Sequence, residues 1–370
     1  MPLEIRLIRD SEYRAVNDFF NKTRSINLPA KKAIREYAKF CWEFLDCTDR
    51  KAIFAGAWDL EDIDNPVLSG IQGIIIHKMI SSDGKSYLAA KGEDALIEIN
   101  ALMKFKNSDI LKALCALLVE ECRKRSVVYL WGFNNLPATY KRLGFVTPFK
   151  SFNGVLVLNP VKTYKNIITL KAEHNAISKF KIAFLTVSSY LYSLKKAFIP
   201  SLENDYQITR CLDDNTDLFR RAAAPGRLFT LLQDSDYMKW RISENPYAVK
   251  YRSWQLRDRQ NNLHAQVICS ILDNAAFIEQ ILFDHKLEMT SLNFLLKKII
   301  RSLKNEKVIV VRYMGFRNNE LNKKEMDVLK KLGFAFSGNG EWFTYKPLTD
   351  DPAITPDTIY LSRIYKQGRT

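Results

Sequence analysis

Residue types that carry metal or nucleophilic chemistry are scattered along this chain. Its four histidines and six cysteines include no HxxxH, CxxC or mixed cluster, so no zinc site is predicted. The motifs GxSxG, HExxH and GxxxxGK[ST] are absent, which excludes a nucleophile elbow, a zincin site and a P-loop. Cys115 and Cys122 stand seven residues apart on one predicted helix, a spacing typical of buried packing residues.

Carboxylates, in contrast, collect on one predicted strand, Tyr87–Ile97, and at its end. Glu93 and Asp94 lie on this strand and Glu98 follows it. Because side chains alternate along a strand, Asp94 and Glu98 are expected on one side and Glu93 on the other. Glu98 facing solvent is also compatible with this pattern.

The composition is that of a globular protein large enough for two domains. Of its 370 residues, 47% are apolar and 26% charged, so disorder and fibrous repeats are excluded. The net charge is 56 − 41 = +15, which attracts nucleic acid, an anionic bilayer or a phosphate-rich cofactor. The uncharged apolar run Ile182–Leu194 is too short for a membrane span. A charged N-terminal stretch and the absence of CxxC predict a reduced, cytoplasmic protein.

The elements that would position the carboxylates follow a definite order in residues 3–158. Turn-forming segments between three successive strands indicate an antiparallel meander. A helix followed by a nearly continuous apolar strand indicates parallel pairing in the middle of the sheet. The predicted strands are 3–8, 52–58, 70–80, 87–97, 127–133 and one ending at Leu158, and the predicted helices are 10–24, Pro29 to Phe44, 110–124 and 137–143.

A similar order returns in the second half, which indicates an internal duplication. The predicted strands there are 207–211, 250–256, 264–272, 275–283, 308–315 and 342–346, with helices at 234–242, 292–303 and 322–332. Three anchors recur in order, at separations of 183, 189 and 198 residues: 131–135 with 314–319, 141–145 with 330–334, and 40–44 with 238–242.

These patterns predict an N-terminal domain at 1–159, a linker at 160–204, a C-terminal domain at 205–350 and a tail at 351–370. Residues 160–200 contain seven lysines, no arginine and one acid, so the linker is predicted to be helical with a basic face. A helix docked on both domains and a helix on a membrane surface both fit this composition.

The segment Tyr140-Lys141-Arg142-Leu143-Gly144-Phe145 resembles the segment that closes a GNAT-type N-acyltransferase domain. The element order of residues 3–158 is similar to that whole fold, and 206–348 is similar to a second copy. The chain thus resembles tandem GNAT-like proteins and is distantly similar to Fem-type transferases. The resemblance implies an α/β (α+β) fold of two domains, each a mixed, mostly antiparallel sheet flanked by helices, with a V-shaped opening for acyl-CoA.

The resemblance also implies where the pyrophosphate of acyl-CoA would bind. In the family a glycine-containing loop presents N–H groups at a helix N-terminus, whereas the matching segment here, Lys104–Ile110, has no glycine. Two lysines could attract phosphates by charge, but Asp109 would repel them. The second half has Asp284–Ser291 at this place, again without glycine, so the first half is the expected cofactor half, and binding in neither half is the alternative. The implied cofactor-binding residues are Lys104, Lys106, Asn107, Ser108, Asp109, Ile110 and Asn135.

The implied reaction is attack of an amine on a thioester, which requires a base for the amine proton and an acid near the sulfur. The family positions for these groups match a carboxylate on the fourth strand, Asp94 or Glu98, and Tyr140 beside the last helix. A purely structural role for Tyr140, as a core aromatic, stays open.

The function that the resemblance implies is N-acyl transfer from acyl-CoA, with acetyl-CoA the expected donor and no metal. The acceptor would be an amine on a small molecule or a carrier, such as an amino sugar or an envelope precursor. The alternatives are a catalytically inactive binding protein and a Fem-like transferase that uses aminoacyl-tRNA. The basic linker adds the expectation of peripheral contact with the anionic inner face of a membrane.

Overall fold

The described residues form two seven-stranded sheets with helices packed on them. The computed structural model describes residues 3–27, 34–46, 51–106, 109–170, 183–184, 186–191, 206–211, 216–223, 228–350 and 354–365. The strands are β1 (Leu3–Leu7), β2 (Ala52–Asp59), β3 (Val67–Ser81), β4 (Ser86–Ile97), β5 (Val127–Asn134), β6 (Phe152–Val157), β7 (Gln207–Thr209), β8 (Phe229–Leu231), β9 (Lys250–Arg257), β10 (Leu263–Leu272), β11 (Ala275–Phe283), β12 (Val310–Gly315), β13 (Ala335–Ser337) and β14 (Trp342–Pro347). The helices are α1 (Tyr13–Asn27), α2 (Tyr37–Phe44), α3 (Ile99–Lys104), α4 (Ile110–Lys124), α5 (Pro137–Arg142), α6 (Pro160–Leu170), α7 (Thr216–Ala223), α8 (Ser235–Met238), α9 (Met289–Asn305) and α10 (Glu320–Lys331).

The first sheet has the strand order β1-β2-β3-β4-β5-β14, with β8 paired to β3. The strands β2 to β4 form the predicted antiparallel meander, β1 pairs antiparallel with β2, and β4 and β5 form the predicted parallel pair. Helix α4 makes the crossover between β4 and β5, and its residues Ile110, Leu114 and Leu118 are buried in one core cluster with strand residues. Spacings of four place these side chains on one face of the helix. The helix therefore covers one side of the sheet, and α1 and α2 cover the other.

The second sheet repeats this arrangement in the order β13-β6-β12-β11-β10-β9-β7. The strands β9 to β11 form an antiparallel meander, and β11 and β12 pair in parallel around the crossover helix α9. The repeat confirms the duplication inferred from the sequence. The fold is thus α/β, with two mixed sheets flanked by helices.

The two halves exchange their last strands. Strand β6 of the first half pairs antiparallel with β12, and β14 of the second half pairs antiparallel with β5. Each sheet is therefore completed by the other half of the chain. The predicted boundaries 1–159 and 205–350 stay a prediction about chain segments, whereas backbone hydrogen bonding joins both segments in each sheet.

Two tryptophans at equivalent positions of the two halves make reciprocal contacts with each other. Trp42 Nε1 donates to the carbonyl of Trp240 at 3.0 Å, and Trp240 Nε1 donates to the carbonyl of Trp42 at 2.8 Å. Their rings stack with centroids 5.2 Å apart. These residues belong to the sequence anchors 198 residues apart, so the recurrence reflects a symmetric contact.

The structure corrects one helix predicted from the sequence. The helix expected from Pro29 begins at Tyr37 among the described residues. Side chains of α1 bind the backbone of Arg35 instead: the Arg35 N–H donates to Asn21 Oδ1 at 2.9 Å, and its carbonyl accepts from Asn17 and Asn21. This holds the segment outside the helix. The helices α3 and α7 were not predicted.

The predicted linker lies partly outside the described residues. Within it, α6 and residues 183–184 and 186–191 are helical. No helix in the described ranges has both the length and the apolar character needed to cross a membrane.

Candidate active site

A cleft opens in the first sheet where its two parallel strands separate. β4 and β5 pair from Leu88 and Val127 to Lys91 and Trp131. Beyond that point six residues of β4 and three of β5 continue without pairing to each other. β4 stays on β3 there, and β5 stays on β14. The separated strands form the walls of a cleft of about 470 Å³.

The cleft is lined by residues from both faces of the sheet. Leu130 and Phe145 belong to the core under α4, whereas Trp131 belongs to the core shared with the second half. The exchanged strand β14 contributes Thr344. Both halves of the chain therefore build the cleft, which is accessible to a ligand between the strands.

A β-bulge in β4 brings two carboxylates to the cleft. Ile71 pairs with Leu96, and Gly73 pairs with Glu93, so β4 has one more residue than β3 between these pairs. Asp94 lies in the bulge with a φ of 42°, a left-handed conformation that aspartate adopts more readily than most residues. Both Glu93 and Asp94 line the cleft.

Glu98 lies outside the cleft lining. It is the residue before α3, and its Oε1 lies 2.9 Å from the Nζ of Lys22. The expected grouping of Asp94 with Glu98, and of Glu93 apart from them, is wrong. Its physical reason is the extra residue of the bulge, which breaks strict alternation.

A buried ionic network holds the carboxylate of Asp94. Arg35 Nη1 lies 2.7 Å from Asp94 and 3.2 Å from Glu43, and its side chain is 2% exposed. Tyr247 from the second half donates its hydroxyl to the other oxygen of Glu43. Burial raises the pKa of Glu43 to about 6, although the charge of Arg35 opposes this shift. The network fixes Asp94 and ties the second half to the bulge.

Glu93 and Tyr140 provide a carboxylate and a phenol within the same cleft. Glu93 contacts the Nζ of Lys91, a buried lysine two residues before it on β4. Burial raises the pKa of Tyr140, and the nearby charge of Glu93 adds to this shift. The Tyr140 hydroxyl is therefore protonated at neutral pH. The charge of Glu93 favours this protonated form.

Lys104, a predicted phosphate ligand, is occupied by two carboxylates. Its Nζ contacts Asp59 and lies 2.6 Å from Glu61. Both acids raise the pKa of Lys104. Lys106, in contrast, is exposed, and no described carboxylate pairs with it.

The helix N-terminus expected to bind a pyrophosphate is capped by its own residue. Asp109 accepts the N–H of Lys112 at 3.0 Å, which satisfies one of the free donors of α4 and leaves a negative charge there. Ile110 is buried in the core, so only its backbone could face a ligand. Asn135 lines the cleft, and Asn107 and Ser108 lie outside the described residues.

Sequence reasoning missed three polar side chains that line the cleft. Gln72 Oε1, Trp131 Nε1 and Asn134 Nδ2 are buried and have no hydrogen-bond partner among the described residues. Unpaired buried polar atoms are costly, so a bound ligand would find both donors and an acceptor here. No local signal marks them, because they meet only where β3, β4 and β5 come together.

The parallel strands of the second sheet also separate, but another segment of the chain fills the space between them. β11 and β12 pair from Ala275 and Val310 to Ile278 and Tyr313, and then β11 continues for five residues. Residues 354–365 run into this second opening, and the side chains of their aromatic and aliphatic residues are buried. These are Ile354, Ile359, Tyr360, Leu361, Ile364 and Tyr365.

Polar contacts hold this segment in place. The Tyr360 hydroxyl bonds the carbonyl of Ile281 at 2.7 Å and Glu325 at 2.6 Å. Arg363 lies 3.5 Å from Glu279, the bulge residue of β11. Among the described residues, this segment therefore covers the opening between the parallel strands of the second half.

This geometry defines the chain as a tandem GNAT-like fold, and comparisons with known structures agree. A probable N-acyltransferase from Enterococcus faecalis V583 superposes with a TM-score of 0.61 at 10% identity, over 94% of this chain and 73% of the other. A tandem GNAT protein of the clavulanic acid biosynthesis pathway gives 0.55 at 12%, over 95% and 100%. N-myristoyltransferase of Saccharomyces cerevisiae with bound myristoyl-CoA gives 0.54 at 12%, over 93% and 83%. No protein-family model and no curated protein matches the chain.

Proposed function

We propose that the first half catalyses N-acyl transfer from a thioester on a pantetheine arm to an amine. The observation that carries this proposal is the open cleft between β4 and β5, whose walls hold two carboxylates and a protonated phenol. The GNAT-like fold of the chain and of the acyltransferases to which it is similar supports acyl transfer as the reaction class. Acyl-CoA is the simplest such donor, and acetyl-CoA the first to test.

The cleft suits a pantetheine arm, which carries two amides and a terminal sulfur. Amide groups would meet the unpaired atoms of Gln72, Trp131 and Asn134, and also the free backbone edge of β4. Binding such a group would satisfy buried polar atoms that otherwise cost stability.

Glu93 is the proposed base and Tyr140 the proposed acid. The amine nitrogen forms a bond to the thioester carbon while its proton passes to the Glu93 carboxylate. The carbon–sulfur bond breaks, and the departing sulfur takes the Tyr140 proton. Asp94, held by Arg35, would orient the amine by accepting a hydrogen bond. Tyr140 thus has the acid role expected from the sequence, whereas Glu93 takes the base role expected of Asp94 or Glu98.

The acceptor is proposed to be a small or carrier-linked amine, such as an amino sugar. Asn135, Thr139 and Thr344 line the cleft and offer hydrogen-bonding groups for hydroxyl-bearing substrates. Contact with an anionic membrane and use of aminoacyl-tRNA remain predictions from charge and composition.

The proposed function can be tested by measuring the release of free thiol from acetyl-CoA and longer acyl-CoAs. The acceptors to test are a panel of amino sugars, amino acids and polyamines. Amine-dependent thiol release that Glu93→Gln and Tyr140→Phe each reduce would support the proposal. Saturable binding of the thioester without turnover on any amine would favour a non-catalytic binding protein.

A further inference from the structure

Exposed apolar residues occur in the cleft lining and close to it along the chain. Among the described residues, twelve large hydrophobic side chains are exposed, and five of them either line the cleft or stand within two positions of a cleft-lining residue along the chain. Leu102 and Leu136 line the cleft itself and are 49% and 63% exposed. We call these five the entrance patch: Ile99, Leu102, Met103, Leu136 and Val146. Such clustering on a protein surface marks an interaction site.

Four basic residues stand within three positions of a cleft or patch residue along the chain. Lys112 follows the cleft residue Leu111 in α4, and Lys141 and Arg142 follow Tyr140 in α5. Lys106 follows α3. All four are exposed, and no described carboxylate forms an ion pair with any of them. We call them the basic rim.

This region, in contrast, offers few groups that could bind the phosphates of free CoA. Lys104 is neutralised by Asp59 and Glu61. Asp109 caps α4 and presents its own negative charge where a pyrophosphate would approach. The segment lacks the glycines that would let the backbone approach closely. The site therefore accepts the arm of a pantetheine thioester better than its nucleotide.

From these observations, and resting on the proposed function, we infer that the donor is an acyl group on the phosphopantetheine arm of an acidic carrier protein. An apolar patch with a cationic border fits an acidic protein that has an apolar docking helix, and the net charge of +15 would steer its approach. A carrier protein brings one phosphate in place of the diphosphate and ribose phosphate of CoA. The docked protein supplies contacts that the nucleotide-binding loop does not.

Calorimetry on the full chain can test this with non-transferable thioethers. The probes are S-carboxamidomethyl-pantetheine, S-carboxamidomethyl-CoA and a purified acyl carrier protein whose arm is S-carboxamidomethylated. We expect the carrier thioether to bind at least tenfold more tightly than the CoA thioether. The double variant Lys112→Glu with Lys141→Glu should weaken carrier binding at least tenfold and change pantetheine binding less than twofold.

A matched control separates local from global charge. Lys324→Glu with Lys331→Glu reverses two exposed charges on α10, changing the net charge equally, from +15 to 15 − 4 = +11. We expect both affinities to stay within twofold in this control. Equal weakening in both double variants would overturn the docking site.

The other outcomes are also decisive. A CoA thioether that binds as tightly as the carrier thioether overturns the inference and leaves the proposed function intact. Absence of binding by all three probes overturns the proposed function itself. Apo carrier protein binding as tightly as the armed form, or vesicles of 30% phosphatidylserine capturing the chain through Lys112 and Lys141, would assign the surface to a different partner and overturn the inference.

Discussion

In each sheet the two parallel strands separate and leave an opening. The first opening is an accessible cleft, and the second is filled by another segment of the chain. In the first sheet, Gly92 to Ile97 leave β5 and remain partly exposed around a cleft. In the second sheet, Glu279 to Phe283 leave β12 and are entirely buried, because residues 354–365 cover them. The duplicated fold creates an opening in each half, and the chain that enters it decides whether a ligand can bind.

The second opening also shows which polar groups of the separated strands must be bound by whatever fills such an opening. Tyr360 donates to a β11 carbonyl, and Arg363 lies close to the bulge carboxylate Glu279. In the first half, Arg35 reaches the bulge carboxylate Asp94 from the side of the sheet instead. The first cleft thus keeps its strand edge free while its bulge charge is already neutralised.

The largest effect on stability is expected when a side chain that fills the second opening is removed. Tyr360→Ala should lower the free energy of unfolding by about 3–5 kcal/mol, because it leaves a cavity and removes a donor from Ile281 and Glu325. Guanidinium unfolding at pH 7 measures this loss. Tyr140→Ala is the matched control in the open cleft and should cost less than half as much. Equal losses would contradict the difference between the two openings.

The two bulge-region carboxylates should differ in their effect on turnover. Glu93→Gln is expected to reduce kcat/KM for acyl transfer about 100-fold, because a base is lost. It should also lower Tm, because the buried Lys91 loses its carboxylate partner. Glu279→Gln should lower Tm by a few degrees and leave turnover of the folded protein within twofold, since its buried carboxylate bonds Ser270 and lies near Arg363. Comparable loss of turnover in both variants would remove the functional distinction between the halves.

A larger side chain in the first cleft should block ligand binding there, as residues 354–365 fill the second opening. A Cβ at Gly92 would lie 3.8 Å from its nearest neighbour, the Trp131 carbonyl oxygen, so Gly92→Val fits the strand and projects into the cleft. S-carboxamidomethyl-pantetheine should bind at least tenfold more weakly, with the free energy of unfolding unchanged or raised by about 0.5 kcal/mol. Gly338→Val, outside the cleft lining, is the control and should leave binding unchanged. Unimpaired binding in Gly92→Val would place the ligand elsewhere.

The smallest effect concerns pH and two buried glutamates. Burial raises the pKa of Glu325 to about 8, although hydrogen bonds from Tyr313 and Tyr360 oppose the shift. A raised carboxyl pKa stabilises the fold below the ordinary pKa of about 4.5, and this stability is lost as pH rises to about 8. Between pH 5 and 9, Glu325→Gln should therefore remove this decline, seen as a flatter plot of unfolding free energy against pH.

Glu43 provides the comparison for this measurement. Because its pKa is raised to only about 6, the flattening in Glu43→Gln should end near pH 6. A decline that continues to pH 8 in the Glu325→Gln protein would assign the effect to another group.

Much of the fold was predictable, because the relevant signals are local. The bounds of α4 and β11 agree with those expected from apolar spacing and from β-rich composition. The parallel pair and the duplication followed from element order. Helix α2 was predicted too long because side chains of α1, distant along the chain, bind the backbone of Arg35.

The candidate site was predictable only in part. Asp94, Tyr140 and Asn135 lie in the cleft as expected, but Glu93 was placed on the wrong side because a one-residue bulge does not show in alternation. Lys104 was expected to meet phosphate and instead meets Asp59 and Glu61, which are separated from it by more than forty residues.

The sequence by itself determined the kinds of elements, their order and their repetition, since periodic burial along a helix or strand depends on neighbouring residues. Only the tertiary structure decided the exchange of β6 and β14, the contribution of Thr344 to the first cleft and the filling of the second opening by residues 354–365. These features depend on which distant segments share a hydrogen-bond register or compete for the same buried surface. Such competition is settled by the packing of the whole chain.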